Sequence, residues 1–143
     1  MIDHPSDRYF IRSKVEPSSH WYLRTRGACL VCGNRNCDAV HASSEYRTKF
    51  CVRVRDQGSV SKELVMIGRD KIAIAAPGDY TVHINAVQDL KATRAFQGRA
   101  LDLLFDDLRD KFITRAEKQV NGEIWEYVEL VAKGLGEAWE LVG

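Results

Sequence analysis

Residues 46–55 read Tyr-Arg-Thr-Lys-Phe-Cys-Val-Arg-Val-Arg, an unbroken alternation over ten positions. A period of two sends successive side chains to opposite faces, so this run predicts a half-buried β-strand. Tyr46, Thr48, Phe50, Val52 and Val54 make the face that packs inward. Arg47, Lys49, Cys51, Arg53 and Arg55 make the other, four cations around one cysteine. Such a strand needs a sheet to bury one face and water or an anionic partner for the other.

Two earlier segments repeat the arrangement. In 9–15, Arg12 and Lys14 share one face while Ile11 and Val15 take the other; in 21–26, Tyr22, Arg24 and Arg26 share a face. As neighbours, these strands would merge their cations into one patch with Tyr22 inside it. Arginines track phosphates and an aromatic ring stacks on an unpaired base. The charge distribution agrees. Net charge is +1, but residues 8–55 hold ten Lys/Arg against three Asp/Glu, and residues 73–143 hold eight against twelve. A local field of this kind draws an anionic partner where total charge would not. The bland alternative is an ordinary solvated sheet face.

All four cysteines lie within 23 residues: Cys29, Cys32, Cys37 and Cys51. The pair Cys29-Leu30-Val31-Cys32, followed by Gly33, has the spacing of a knuckle that turns two thiolates toward one cation. Cys37 is a third ligand, and Cys51 or His41 a fourth, so a closed structural zinc site is expected, stapling the loop 27–44 to the sheet. Two disulfides or four separate thiols are the other readings. No His-x-Glu precedes a Pro-Cys-x-x-Cys, so the zinc deaminase signature is absent.

The segments 63–67 and 71–75 flank Gly68-Arg69-Asp70 and predict a hairpin; Pro77-Gly78-Asp79 predicts a turn into a strand over 80–84. The string from Lys71 through Ala76-Pro77-Gly78 to Val82-His83 is similar to the last two strands of the carbon storage regulator family of RNA-binding proteins. Ile84 stands where that family has its RNA-contacting Arg, and its N-terminal strand has no counterpart here, so the resemblance implies two strands and a turn only. Asn85 predicts the cap of a helix running to about Phe96. Leu101, Leu104, Phe105 and Leu108 recur at helical spacing over 99–111, with Asp102, Asp106, Asp107 and Asp110 on the opposite, solvated face. Lys111–Val120 reads as a strand, and Asn121-Gly122 is a hairpin signal leading into 123–131. A helix over 123–132 also fits its period. Lys133-Gly134-Leu135-Gly136 predicts another turn, and Ala138–Val142 a closing strand.

At 143 residues, 45% of them hydrophobic and 29% charged, the chain reads as one globular domain, 1–143. The expected fold class is α+β: a mainly antiparallel small sheet or OB-like barrel, with one or two helices between strands and the cysteine-rich knuckle loop. A trefoil is set aside for want of a threefold repeat. No apolar run is long enough to span a membrane as a helix and the N-terminus lacks a signal-peptide pattern, so a cytoplasmic protein with no membrane partner is expected.

The first functional expectation is a small non-enzymatic module. It would carry structural zinc and bind single-stranded nucleic acid through Arg12, Lys14, Tyr22, Arg24, Arg26, Arg47, Lys49, Arg53 and Arg55. The second is a protein-interaction regulator or inhibitor, such as a viral or phage factor, working through its charged surfaces. The third is an enzyme: the knuckle followed by Ala39-Val40-His41 resembles the start of His-metal nuclease sites. There His41 would be general base, with His83 and Asn85 as the remaining candidates. The four histidines (4, 20, 41 and 83) are scattered, and no Ser-His-Asp set, P-loop or Rossmann glycine pattern occurs, which weighs against catalysis.

Overall fold

The structure is a computed structural model that describes residues 8–23, 37–54, 69–77, 80–84, 88, 90–94, 103–120 and 123–143. Eleven strands run through them in chain order: β1 (Arg8–Ser13), β2 (His20–Leu23), β3 (Cys37–Ser43), β4 (Phe50–Val54), β5 (Lys71–Ala76), β6 (Tyr80–Ile84), β7 (Leu90–Arg94), β8 (Leu103–Leu104), β9 (Phe112–Val120), β10 (Glu123–Leu130) and β11 (Trp139–Val142). A 3-10 helix, Phe105–Arg109, follows β8 directly.

Every pairing between these strands is antiparallel, and the pairings close. β1 pairs β4, β4 pairs β5, β5 pairs β6, β6 pairs β7, β7 pairs β3, β3 pairs β2, and β2 returns to β1. These seven strands form a closed barrel, a solution that leaves no open ladder along its wall. A second ring shares part of that wall. β3 forks: residues 37–39 pair β7, whereas His41 and Ala42 pair β10. β10 pairs β9, a bridge joins Phe112 of β9 to Glu137, and β11 pairs β1.

Alternation explains what fills the interior. Val40 and Ala42, Phe50 and Val52, Ile72 and Ile74, Leu90 and Ala92 are buried at every second position of their strands. Trp21 lies where the two rings meet. Its indole meets Phe50 of the barrel edge-on at 6.1 Å, and Phe112 and Trp139 of the second ring at 5.3 and 5.9 Å. Edge-to-face packing suits the ring quadrupoles, and rings of this size bury the most apolar area per residue. Trp139 Nε1–H donates to the Phe112 carbonyl at 3.1 Å, which ties β11 to β9.

The expected α+β class is overturned: the described residues form a barrel of strands, and the 3-10 turn is their only helical piece. The helix expected over 85–96 contains β7 instead. Leu90 and Ala92 face the core while β6 and β3 take both edges, so ladder hydrogen bonds outbid a local cap. In 99–111, Leu103 and Leu104 pair Ile72 and Lys71 of β5. Among the described residues of this span that leaves Phe105–Arg109 for a helical turn, too short to offset the cost of nucleating an α-helix. Leu104 is exposed rather than inward. The competing helix over 123–132 is likewise a strand. The loop expected over 27–44 is β3 from Cys37 to Ser43, and 27–36 lies outside the described residues.

The turn at 133–136 has a demanding geometry. Gly134 adopts φ +90°, and the Gly136 amide donates to the Asp110 carbonyl at 2.7 Å. A Cβ on Gly136 would lie 2.5 Å from backbone atoms of Asp110 and Phe112, so only glycine fits this crossing.

Candidate functional site

The segment between β3 and β4 is pinned at both ends. The Ser43 hydroxyl accepts hydrogen bonds from the Glu45 and Tyr46 amides at 3.1 and 3.0 Å. Further along, the Thr48 amide donates to the Trp21 carbonyl at 3.1 Å, and Thr48 Oγ1 accepts from the Leu23 amide at 2.9 Å. A short hydroxyl side chain can offer the backbone such local bonds, which favours turns over a continued strand. Strand β4 therefore starts at Phe50, four residues later than the alternation from Tyr46 implies.

Tyr46 and Arg47 sit between the pins. Tyr46 is 57% exposed, against the inward position expected for it, and its ring stacks on Tyr22 of β2 at 5.2 Å and 27°. The row continues inward over the barrel's outer face. Tyr22 lies 6.5 Å from the His41 ring, and His41 lies 4.9 Å from Tyr127 of β10. The row thus runs from an exposed ring to two buried ones.

Arg47 turns to Phe10 of β1. Its guanidinium carbon lies 4.3 Å from the Phe10 ring centroid, and the Lys49 ammonium lies 5.3 Å from the same centroid. His20 meets the ring edge-on at 6.2 Å. Cations over an aromatic face are attracted to its quadrupole while their polar heads keep contact with water. Ile11 and Ser13 are the buried positions of β1, so Arg8, Phe10, Arg12 and Lys14 alternate onto the outer side.

The expected basic face is therefore assembled in part. Arg12, Lys14, Arg47 and Lys49 belong to the outer surface beside Phe10, and Tyr22 lies next to it under Tyr46. Arg12 is already engaged: its Nε and Nη2 both donate to Glu140 Oε2, at 2.9 and 2.7 Å. Arg53 is half-buried further along β4, opposite Ala73. Arg24, Arg26 and Arg55 lie outside the described residues. Arg8, Phe10 and Tyr46 join the site without having been assigned to it. The signal for the first two was the alternation Arg8-Phe10-Arg12-Lys14, and for Tyr46 the serine pair before it, Ser43-Ser44.

The metal expectation rests on the pair Cys29 and Cys32, which lies outside the described residues, so the structure does not test it. Among the described residues no group of three or more His, Cys, Asp or Glu is gathered for a cation. Cys51 on β4 pairs with Arg8 and Ala75, whereas Cys37 on β3 pairs with Thr93, and no strand pairs with both β3 and β4. His41, the alternative fourth ligand, stacks between two tyrosines instead. Cys29 and Cys32 lie outside the described residues. Two acids of the face expected around 102–110 are spent on local structure. Asp106 pairs with Arg109 at 3.1 Å, and Asp107 Oδ2 accepts from the Leu104 amide at 2.8 Å. Asp102 lies outside the described residues.

His83 and His41 do not form the paired histidines of a nuclease: His41 belongs to the ring row, while His83 faces Lys91 across β6 and β7. Burial holds the His83 imidazole below the usual histidine value of 6.5, and the nearby Lys91 charge lowers it further against a backbone hydrogen bond at Ile84. No helix among the described residues is long and apolar enough to cross a membrane.

Comparison with known proteins finds no matching family model, no matching curated protein and no matching solved structure.

Proposed function

We propose that this protein binds single-stranded nucleic acid on the outer face of the barrel, at the junction of β1, β2 and the 44–49 segment. The observation that carries this reading is the exposed Tyr46 ring, held on Tyr22 by a turn that sets Arg47 and Lys49 on the opposite side of the same short segment. An exposed, supported aromatic offers a base a stacking surface that any sequence can use. Cations within a few residues of it neutralise the phosphates on either side. Duplex DNA keeps its bases stacked on each other, so the ring has nothing to accept there.

Fluorescence anisotropy with a labelled oligothymidylate and a duplex of the same length tests this. The single strand binds more tightly, with log K falling against log salt by about 0.7 for each phosphate neutralised. Equal affinity for the duplex, or an affinity indifferent to salt, would refute the reading.

A further inference from the structure

The outer face of the barrel is wet beside Phe10 and dry at the fork in β3. Lys91 of β7 lies between two core residues, Leu90 and Ala92, so its own side chain belongs to the outer side of the wall. Yet Lys91 is only 3% exposed, and its Nζ has no hydrogen-bond partner among the described residues. Its register neighbours are Ala39 of β3, also buried, and His83 of β6. His83 Nε2 is within 2.8 Å of Thr93 Oγ1. Glu129 of β10, half-buried, pairs with Arg115 at 3.0 Å.

The fork explains the burial. β3 passes from β7 to β10 between Ala39 and His41, and the Leu130 amide at the end of β10 donates to the Gln88 carbonyl just before β7. Gln88 takes φ 69°, a conformation costly for a side chain with a Cβ, so the chain is forced into this approach. A buried ammonium without a counter-charge is among the most expensive groups a core can hold. Where such a cation is kept, a bound anion is the direct way to repay the loss of water.

We infer that Lys91, flanked by His83 and Thr93, forms a binding site for a phosphate-type oxyanion at the β3 fork. Lys91 supplies the charge, and His83 and Thr93 the polar wall. His83, held neutral by burial, adds no second positive charge, which suits a single ionic partner. This site does not depend on the Tyr46 platform, and either can fail while the other stands.

The test is an NMR titration of the full chain with inorganic phosphate, using chloride at matched ionic strength as the control. Saturable phosphate-specific shifts are expected at the amides of Ala39, His83 and Lys91. In Lys91→Met the affinity falls by about tenfold or more, as for loss of a hydrogen bond to a charged group. The inference is overturned by shifts confined to Arg47 and Lys49, by shifts that chloride reproduces, or by an unchanged affinity in Lys91→Met. Should that variant fail to fold, the wild-type titration decides alone: unmoved amides at 39, 83 and 91 reject the site. Once phosphate binds there, a 5′-phosphorylated oligonucleotide that moves the same amides identifies a strand terminus as the source. One that leaves them unmoved identifies the free ion.

Discussion

A pair of cations and a single lysine lie on the outside of one barrel, and their surroundings make them opposites. Around Phe10, Arg47 and Lys49 rest on an aromatic face at the surface, where water and salt already serve their charges. At the β3 fork, Lys91 is buried and has no hydrogen-bond partner among the described residues. Charge alone therefore says little about binding. On the proposed reading, the surface pair suits long, exchangeable polyanions and is sensitive to salt, whereas the buried lysine suits one small anion and is shielded from screening. The 44–49 segment and the β3 fork, not the count of lysines and arginines, set that difference.

The comparison is broken most forcefully at Lys91. In phosphate-free buffer, Lys91→Met should raise stability by about 1–3 kcal/mol, because it removes a buried polar group that has no partner among the described residues. Urea denaturation measures this, and a loss of stability would mean that Lys91 is satisfied after all. At the surface end, Tyr46→Ala should weaken binding to a single strand by about 1–3 kcal/mol while leaving the salt slope unchanged. Lys49→Ala should do the reverse, lowering the slope by about 0.7 with a smaller loss at low salt. The two variants together separate stacking from phosphate neutralisation.

The strand pattern was legible wherever one face was buried and the other wet. Phe50 and Val52 against Cys51 and Arg53 fall as alternation predicts, and Asn121-Gly122 lies between the paired strands β9 and β10. The pattern misled where both faces are dry or where pairing is short. Leu90-Lys91-Ala92 is buried at all three positions, so it shows no clean period. Leu103-Leu104 pairs with β5 over only two residues, and the leucine spacing around it mimicked a helix. Within the site, the cations of β1 and the 44–49 segment were legible from alternation. Tyr46 was not, because its exposure depends on the hydroxyls of Ser43 and Thr48 meeting backbone amides. An OB-like barrel was one expected form, but the order of strands that closes this one was out of reach for a related reason: β3 pairs with β7 and β10, far along the chain, and no local signal encodes that choice.

Two smaller effects sharpen the contrast. Thr48→Val keeps the size of the side chain but removes its bond from the Leu23 amide, which should cost roughly 0.5–1.5 kcal/mol of stability. It should also loosen Tyr46, visible as weaker single-strand binding with an unaltered response to phosphate at the fork. The smallest effect is on pH. His83 is held below 6.5 by burial, so the unfolded chain takes up a proton there before the folded chain does. Stability should be indifferent to this group above about pH 6.5 and should decline as pH falls from that value toward the lowered native one. His83→Gln should flatten that part of the pH–stability curve, measured by thermal melts.

The most direct test of the stacking platform reads the rings themselves. On addition of a short single-stranded oligonucleotide, the aromatic proton resonances of Tyr46 and Tyr22 should move upfield together, with those of Tyr80, buried in the barrel, unmoved. Binding that leaves the Tyr46 and Tyr22 resonances where they were would contradict the account.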